Sequence, residues 1–362
     1  MILLLTLYSV LAIAIFVLLH NFFYQKAKYF NIKKANQKAI RWSSQKKPVA
    51  GGITFFISFL FATTFFMLSQ PIKNQIVEME YAYIAMSLIF IFFTGLADDM
   101  LSISPLLKLS IQTITAFMLV YADICIHLFN YDWLNYLISI IWYVGIMNSI
   151  NMLDNMDAVS SLVSISILTG FIFINVFYHF NLYELLLLIS LLIALVTFMI
   201  FNFHPAKMYM GDNGSLFLGL FLGIFGVKYI WNHSFYEWNN GVIYTHFLMI
   251  LLFYLIPLTD TTTVTINRLL KKRSPFIGGK DHTTHALFYL GFKENQIALL
   301  LFAINLVAVL GVLYIIYSDN SNPLFLYISF FYCIFVALFL YANAFRVNFK
   351  NKTHNSRTIR QF

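Results

Sequence analysis

The 362 residues are 60% hydrophobic and only 10% charged, with 23 lysines and arginines against 15 acids, a net charge of +8 and a mean hydropathy of +0.77. Soluble domains carry roughly 25% charged residues, so this composition excludes a water-soluble globular enzyme. It points to an all-α, polytopic membrane protein.

Apolar stretches of about 17–25 residues, each the length of a transmembrane helix, recur along the chain. In chain order they predict about eleven spans: 1–24, 51–69, 81–97, 106–122, 133–149, 158–177, 182–202, 215–231, 242–259, 295–317 and 324–345. The first stretch lacks a basic n-region and a small-residue cleavage site, so it reads as a first helix and not as a signal peptide. Cys125 and Cys333 sit in apolar surroundings and read as small hydrophobes without metal-site spacing. With loop 25–50 taken as cytoplasmic, 21 of the 23 basic residues fall on that side and only Lys73 and Lys228 on the other. The positive-inside rule then sets the N-terminus outside and the C-terminus in the cytoplasm. The chain divides into a transmembrane catalytic unit, 1–345, and a basic cytoplasmic tail, 346–362. The tail's charge fits attraction to anionic lipid as well as a topology signal. No internal repeat or inverted pair of broken helices of the transporter kind is visible.

Polar residues cluster where apolar runs end, and this topology puts every cluster on the cytoplasmic face. Asp98 and Asp99 close the third run. A carboxylate within a membrane segment costs roughly 2.5–3.5 kcal/mol, so an adjacent pair there calls for a cation or for water between them. Asn148, Asn151, Asp154 and Asp157 follow at i, i+3, i+6 and i+9, near one face if the helix tightens at its end. Four such side chains suit a hard cation, a ribose or an amide. The stretch His204 to Ser215 places Tyr209 and Asp212 around Gly211 and Gly214, with Ser215 or Asn213 expected to cap the next helix and offer its N–H groups to an anion. Asp212 beside those donors would suit a metal that bridges phosphate oxygens, as Mg²⁺ does. The last cluster runs from Asp260 through Arg268 and Lys271 to Arg273, then Asp281, His282 and His285. Its bases suit phosphate neutralisation and its histidines proton or phosphate chemistry. A zinc site would draw on the same His and Asp residues, but no Cys or Glu there supports it. Lys47 precedes Pro48, Gly51 and Gly52, whose glycines permit close backbone approach.

Taken together and in this order, Pro48 to Gly52, Asp98-Asp99, the Asn148 to Asp157 array, Pro205-Ala206 with Gly211 to Ser215, and Asp281 to His285 resemble the polyprenyl-phosphate N-acetylhexosamine-1-phosphate transferases of glycosyltransferase family 4. The resemblance implies a multi-pass enzyme of the bacterial cytoplasmic membrane with its active site facing the cytoplasm. Such an enzyme moves a sugar-1-phosphate from a UDP-amino sugar to undecaprenyl phosphate, releases UMP, and so initiates a cell-envelope polysaccharide. It implies Mg²⁺, with Mn²⁺ as an alternative, held by Asp212 and Asn151. Asp98 and Asp99 would stand beside the metal, one of them as a base toward the lipid phosphate. Asp154 and Asp157 would hold the nucleotide, Tyr209 would stack on uracil, and His282 and His285 would contact phosphates. Asn148, Lys47, Arg268 and Asp281 complete the expected substrate-binding set. The bilayer is a partner, a homodimer is compatible, and no nucleic acid is expected. Thr284 stands where the family usually has the middle of three histidines, and Asn155 and Ala158 replace customary glycines. The acidic signatures that usually follow the His cluster in the phospho-MurNAc-pentapeptide translocases are missing, which favours a GlcNAc-type donor over that alternative. An ion-coupled transporter would instead place its acids at mid-membrane.

Overall fold

A computed structural model describes residues 2–30, 47–69, 79–233, 242–274, 279, 281–318 and 322–358. Among these the protein is all-helical, and the one β-type contact is an isolated bridge between Val49 and Tyr209. Part of the basic first loop and the last tail residues lie outside the described residues.

Thirteen α-helices follow in order: α1 (Ile2–Phe30), α2 (Gly51–Ser69), α3 (Met79–Leu101), α4 (Pro105–Tyr121), α5 (Asp132–Leu153), α6 (Val159–Phe177), α7 (Leu182–Asn202), α8 (Gly211–Gly226), α9 (Val242–Phe253), α10 (Leu255–Leu270), α11 (Thr283–Tyr289), α12 (Glu294–Tyr317) and α13 (Pro323–Thr358). Nine described helices, α8 counted with the π-helical turn Val227–Trp231 that extends it, are long and apolar enough to cross a membrane. The bent pair α9–α10 would make ten, and α4 is a shorter apolar helix of 17 residues. Every expected span thus has a helix. Two differ in form.

The expected straight span 242–259 is broken, because α9 and α10 meet at 87°. Pro257 has no N–H to give to the carbonyl of Phe253 four residues back, so the ladder fails there. Asn305 of α12 takes over. Its amide nitrogen donates to the Phe253 carbonyl (3.4 Å) and its oxygen accepts from the Ile256 N–H (3.2 Å). The expected span 215–231 starts four residues early, at Gly211. Gly214 is therefore inside the helix and not in a loop. α13 runs on to Thr358, into the stretch expected to be the basic tail.

α8 is the axis of the bundle. From Asn213 to Gly226 every residue is buried, packed by α2, α3, α5 and α6, as expected of a helix apolar all round. The outer helices behave oppositely: Leu3, Leu324 and Phe335 are 83%, 67% and 69% exposed. Apolar surface of that extent needs lipid to cover it. At the end of α8 away from Asp212, Lys228 pairs with Glu80 and Glu184, and the Tyr229 hydroxyl donates to Glu184 (2.5 Å). This partly buried ion cluster ties α3, α7 and the turn after α8 together.

Candidate active site

The chain passes back and forth so that the end of α3, the start of α4, the end of α5, the start of α8 and the α10–α11 segment meet at one end of the bundle. There they enclose a cavity of about 860 Å³. Asp98, Asn148, Asn151, Asp154, Asp157, Tyr209, Asp212, Arg268, His282 and His285 all line it. Residues spread over nearly 190 positions of sequence are thus brought to one chamber.

On one wall the Lys108 ammonium lies 2.9 Å from Asp98 Oδ2 and 3.5 Å from Asp212 Oδ2. Asn151 donates to Asp212 Oδ1 (2.9 Å) and to the Ser215 hydroxyl (2.7 Å). Lys108 is ten residues from Asp98, across the short turn before α4, and it holds two carboxylates that would otherwise repel. Among the motifs read from the sequence, none includes Lys108. Its spacing across a turn from Asp98 was the available signal.

Asp99 stands elsewhere. It is fully buried, and its two oxygens accept the backbone N–H groups of Asp212 (3.1 Å) and Asn213 (3.0 Å). The expectation that it faces the metal beside Asp98 is corrected: neighbours on a helix point about 100° apart, and this one caps α8. The cap is supplied by α3 and not by Ser215 or Asn213. Gly211, at φ +78°, turns the chain into α8 where a Cβ would strike Asp99 Oδ2 at 2.6 Å. Gly95 brings α3 against α8 so closely that a Cβ would lie 2.5 Å from the Asp212 carbonyl.

Asp157, 8% exposed, accepts from the Ala206 N–H (2.9 Å) and lies 3.1 Å from His204 Nδ1 and 3.8 Å from Lys47 Nζ. His204 also reaches Glu294 at 3.2 Å. Lys47 lies over the Tyr209 ring, 5.2 Å from its centre. The segment before α2 is pinned beside that ring, since the Tyr209 N–H donates to the Pro48 carbonyl and the Tyr209 carbonyl accepts from Ala50 and Gly51. This gives Pro48 to Gly52 a role that its glycines alone did not reveal. Asn148 exchanges hydrogen bonds with Gln112, which also lines the cavity.

On the far wall Arg268 forms a two-bond clasp with Asp281, Nε to Oδ2 at 2.9 Å and Nη2 to Oδ1 at 2.8 Å. Burial favours a neutral Asp281 carboxyl, but the Arg268 guanidinium outweighs it and holds the group below the usual carboxylate range. Asp281 stands behind Arg268, which lines the cavity, and orients its guanidinium. His282 Nδ1 lies 2.8 Å from Asp260 Oδ2, while Asp260 Oδ1 accepts from the Thr283 N–H and hydroxyl. Asp260 therefore fixes the His282 ring, a function that its position at the head of the fourth cluster did not disclose. His285 packs edge-to-face on His282. The Thr284 hydroxyl donates to Asn155 Oδ1 (2.5 Å), so two of the three residues that depart from the family pattern contact each other.

The donor set around Asp212 is all oxygen and amide, with two carboxylates already sharing one cationic group. That chemistry fits Mg²⁺, which takes one or two carboxylates and leaves positions for phosphate oxygens and water.

The model of glycosyl transferase family 4 matches residues 81–230, the stretch from α3 to the end of α8 that carries Asp98, Lys108, Asn151 and Asp212. Over that stretch the chain is similar to the family. It is similar to a probable undecaprenyl-phosphate N-acetylglucosaminyl 1-phosphate transferase of Bacillus subtilis (strain 168), 27% identical over 302 residues, 80% of this chain and 79% of the relative. A phospho-N-acetylmuramoyl-pentapeptide-transferase of Streptococcus uberis is 33% identical over 205 residues, 50% of this chain and 58% of that protein. One from Lactococcus lactis is 41% identical over 88 residues, 24% of this chain and 26% of the relative. Lys47, Arg268, Asp281, His282 and His285 lie outside the family match, so their place in or beside the cavity rests on geometry.

Proposed function

We propose that the protein transfers N-acetylhexosamine-1-phosphate from a UDP-sugar to undecaprenyl phosphate and releases UMP at the cytoplasmic face. The observation that carries this reading is the Asp98–Lys108–Asp212–Asn151 cluster on the wall of a chamber large enough for a nucleotide sugar. An oxygen of the lipid phosphate attacks the β-phosphorus of the donor. The bond from that phosphorus to the bridging oxygen breaks, and its electron pair leaves with UMP.

Both reactants are anionic, so positioning and charge neutralisation carry most of the catalysis. Mg²⁺, held by Asp212 and Asn151 with Asp98 adjacent, would supply charge neutralisation at the phosphates. Lys108 adds a second positive charge on the same wall, and Arg268, fixed by Asp281, offers one from the opposite side. Lys47 and Tyr209 form a flat cationic platform suited to a base, with Asp157 near enough to orient it. His282, its ring set by Asp260, and His285 present imidazoles toward the phosphates.

The N-acetylglucosamine type of donor is supported by the Bacillus relative, whose match extends over 79% of that protein. The higher identity of the shorter streptococcal match favours the muramoyl-pentapeptide donor as the second reading. Purified protein incubated with undecaprenyl phosphate, Mg²⁺ and a panel of UDP-sugars distinguishes them. UMP release with UDP-N-acetylhexosamines is expected. Turnover of UDP-MurNAc-pentapeptide alone would promote the second reading, and no UMP with any donor would refute both.

A further inference from the structure

The loop between α4 and α5 lies at the end of these helices opposite the cavity, because their other ends carry Lys108 and Asn151. Twenty-two residues of α5 separate the two ends by about 33 Å. In this loop Asp123, Cys125 and His127 follow at alternate positions. Their functional atoms converge: Cys125 Sγ lies 3.7 Å from Asp123 Oδ1 and 3.6 Å from His127 Nε2, and the last two are 3.8 Å apart. A tetrahedral ion bound by one sulfur at about 2.3 Å and by nitrogen and oxygen at about 2.0–2.1 Å separates its donors by about 3.3–3.6 Å. The observed triangle is within a few tenths of an ångström of that on every edge.

The backbone holds the triangle in place. The α4 terminus closes with Asp123 N–H to the Val120 carbonyl (3.0 Å) and Ile124 N–H to the Leu119 carbonyl (2.9 Å), which leaves Asp123 left-handed at φ +60°. Glycine is the cheapest residue in that conformation, and a carboxylate stands there instead. Asn232, just past α8, accepts from the His127 N–H (2.9 Å) and donates to the Cys125 carbonyl (2.8 Å). Cys125 is buried at the floor, while the side chains of His127 and Asp123 are 52% and 80% exposed at the mouth.

We propose that Asp123, Cys125 and His127 form a second cation site, for a borderline divalent ion of the zinc type, remote from the catalytic chamber. Thiolate with imidazole selects such ions over Mg²⁺ or Ca²⁺, and three protein ligands leave the fourth position to solvent. The reading of Cys125 as merely a small hydrophobe is thereby revised. The residues sit two apart, a spacing that needs this particular loop conformation to converge. An ion here would also brace, through Asn232, the far end of the helix whose near end carries Asp212.

Co²⁺ is the probe, added to the purified full chain after chelation in the presence of excess Mg²⁺ to cover the oxygen-rich site. The wild type should show one equivalent of Co²⁺ with a thiolate-to-cobalt absorption band, displaced by Zn²⁺. Cys125→Ser should lose the band, and Cys333→Ser, in α13, should keep it. His127→Ala, on an exposed side chain, tests the site even if Cys125→Ser fails to fold, and should weaken binding more than about tenfold. Absence of a thiolate band in the wild type, or a band that survives His127→Ala and Asp123→Asn with unchanged affinity, would overturn the proposal.

Discussion

Asp99 turns its carboxylate onto the N–H groups of Asp212 and Asn213, whereas Asp98 faces Lys108 and the chamber. The sequence shows two identical residues side by side, and the third helix, not the spacing, decides which one faces the chamber. Substituting each in turn should separate the roles. Asp98→Asn leaves Lys108 paired with Asp212, so turnover should fall by at least about a hundredfold with little change in melting temperature. Asp99→Asn puts an amide against two N–H donors at a buried helix start, and should lower melting temperature and turnover together. Equal thermal stability of the two variants would contradict this division. Arg268 and Asp281 give a second test. Removing one partner of a buried ion pair costs about 3–5 kcal/mol, so Asp281→Asn should melt well below the wild type at neutral pH. Because the folded Asp281 carboxyl is held below its ordinary value, the pair's contribution is complete above about pH 4 and is lost as pH falls through the lowered value. The gap in melting temperature between the two proteins should therefore persist through mild acid and close only below it. A gap that closes as pH rises would contradict the assignment.

At the scale of elements, the helices were legible because each apolar run had the length of a span and ended in polar residues. Their ends were not. The start of α8 at Gly211 depends on a cap donated from α3, which no local pattern records. The break between α9 and α10 has a local cause in Pro257, but it is stabilised by Asn305, about 50 residues on. A lone Asn in an apolar run gives no hint of its partner. Asn305→Leu keeps the branching at Cγ and the number of heavy atoms yet strips partners from the Phe253 carbonyl and the Ile256 N–H. Each unmet group costs about 1–3 kcal/mol, so a large fall in melting temperature is expected. Asp260 and Arg268 ride on α10, so turnover should fall with it. A variant as stable and active as the wild type would show that the bend holds without Asn305.

For the molecule as a whole, the polar clusters predicted to share one face do meet at one end of the bundle, in a single cavity. That much was readable because the spans alternate direction and charges mark the loops. The finer partnerships, Lys108 with Asp212 and Asp260 with His282, were hidden because they join residues whose distances depend on how helices cross. The side of the membrane is tested with single cysteines in a Cys125→Ser, Cys333→Ser background. A cysteine at Ser274 should resist an impermeant thiol reagent in intact cells, while one at Asn130 should react; the reverse pattern would turn the protein over. The central claim is that the group moved is a sugar together with its phosphate, not the sugar alone. A UDP-N-acetylhexosamine labelled with ³²P in the β-phosphate decides it, with undecaprenyl phosphate as acceptor and purified protein as catalyst. The label should enter the lipid, with unlabelled UMP released and no transfer by Asp212→Asn. Label remaining on the nucleotide as UDP while sugar reaches the lipid would contradict the account.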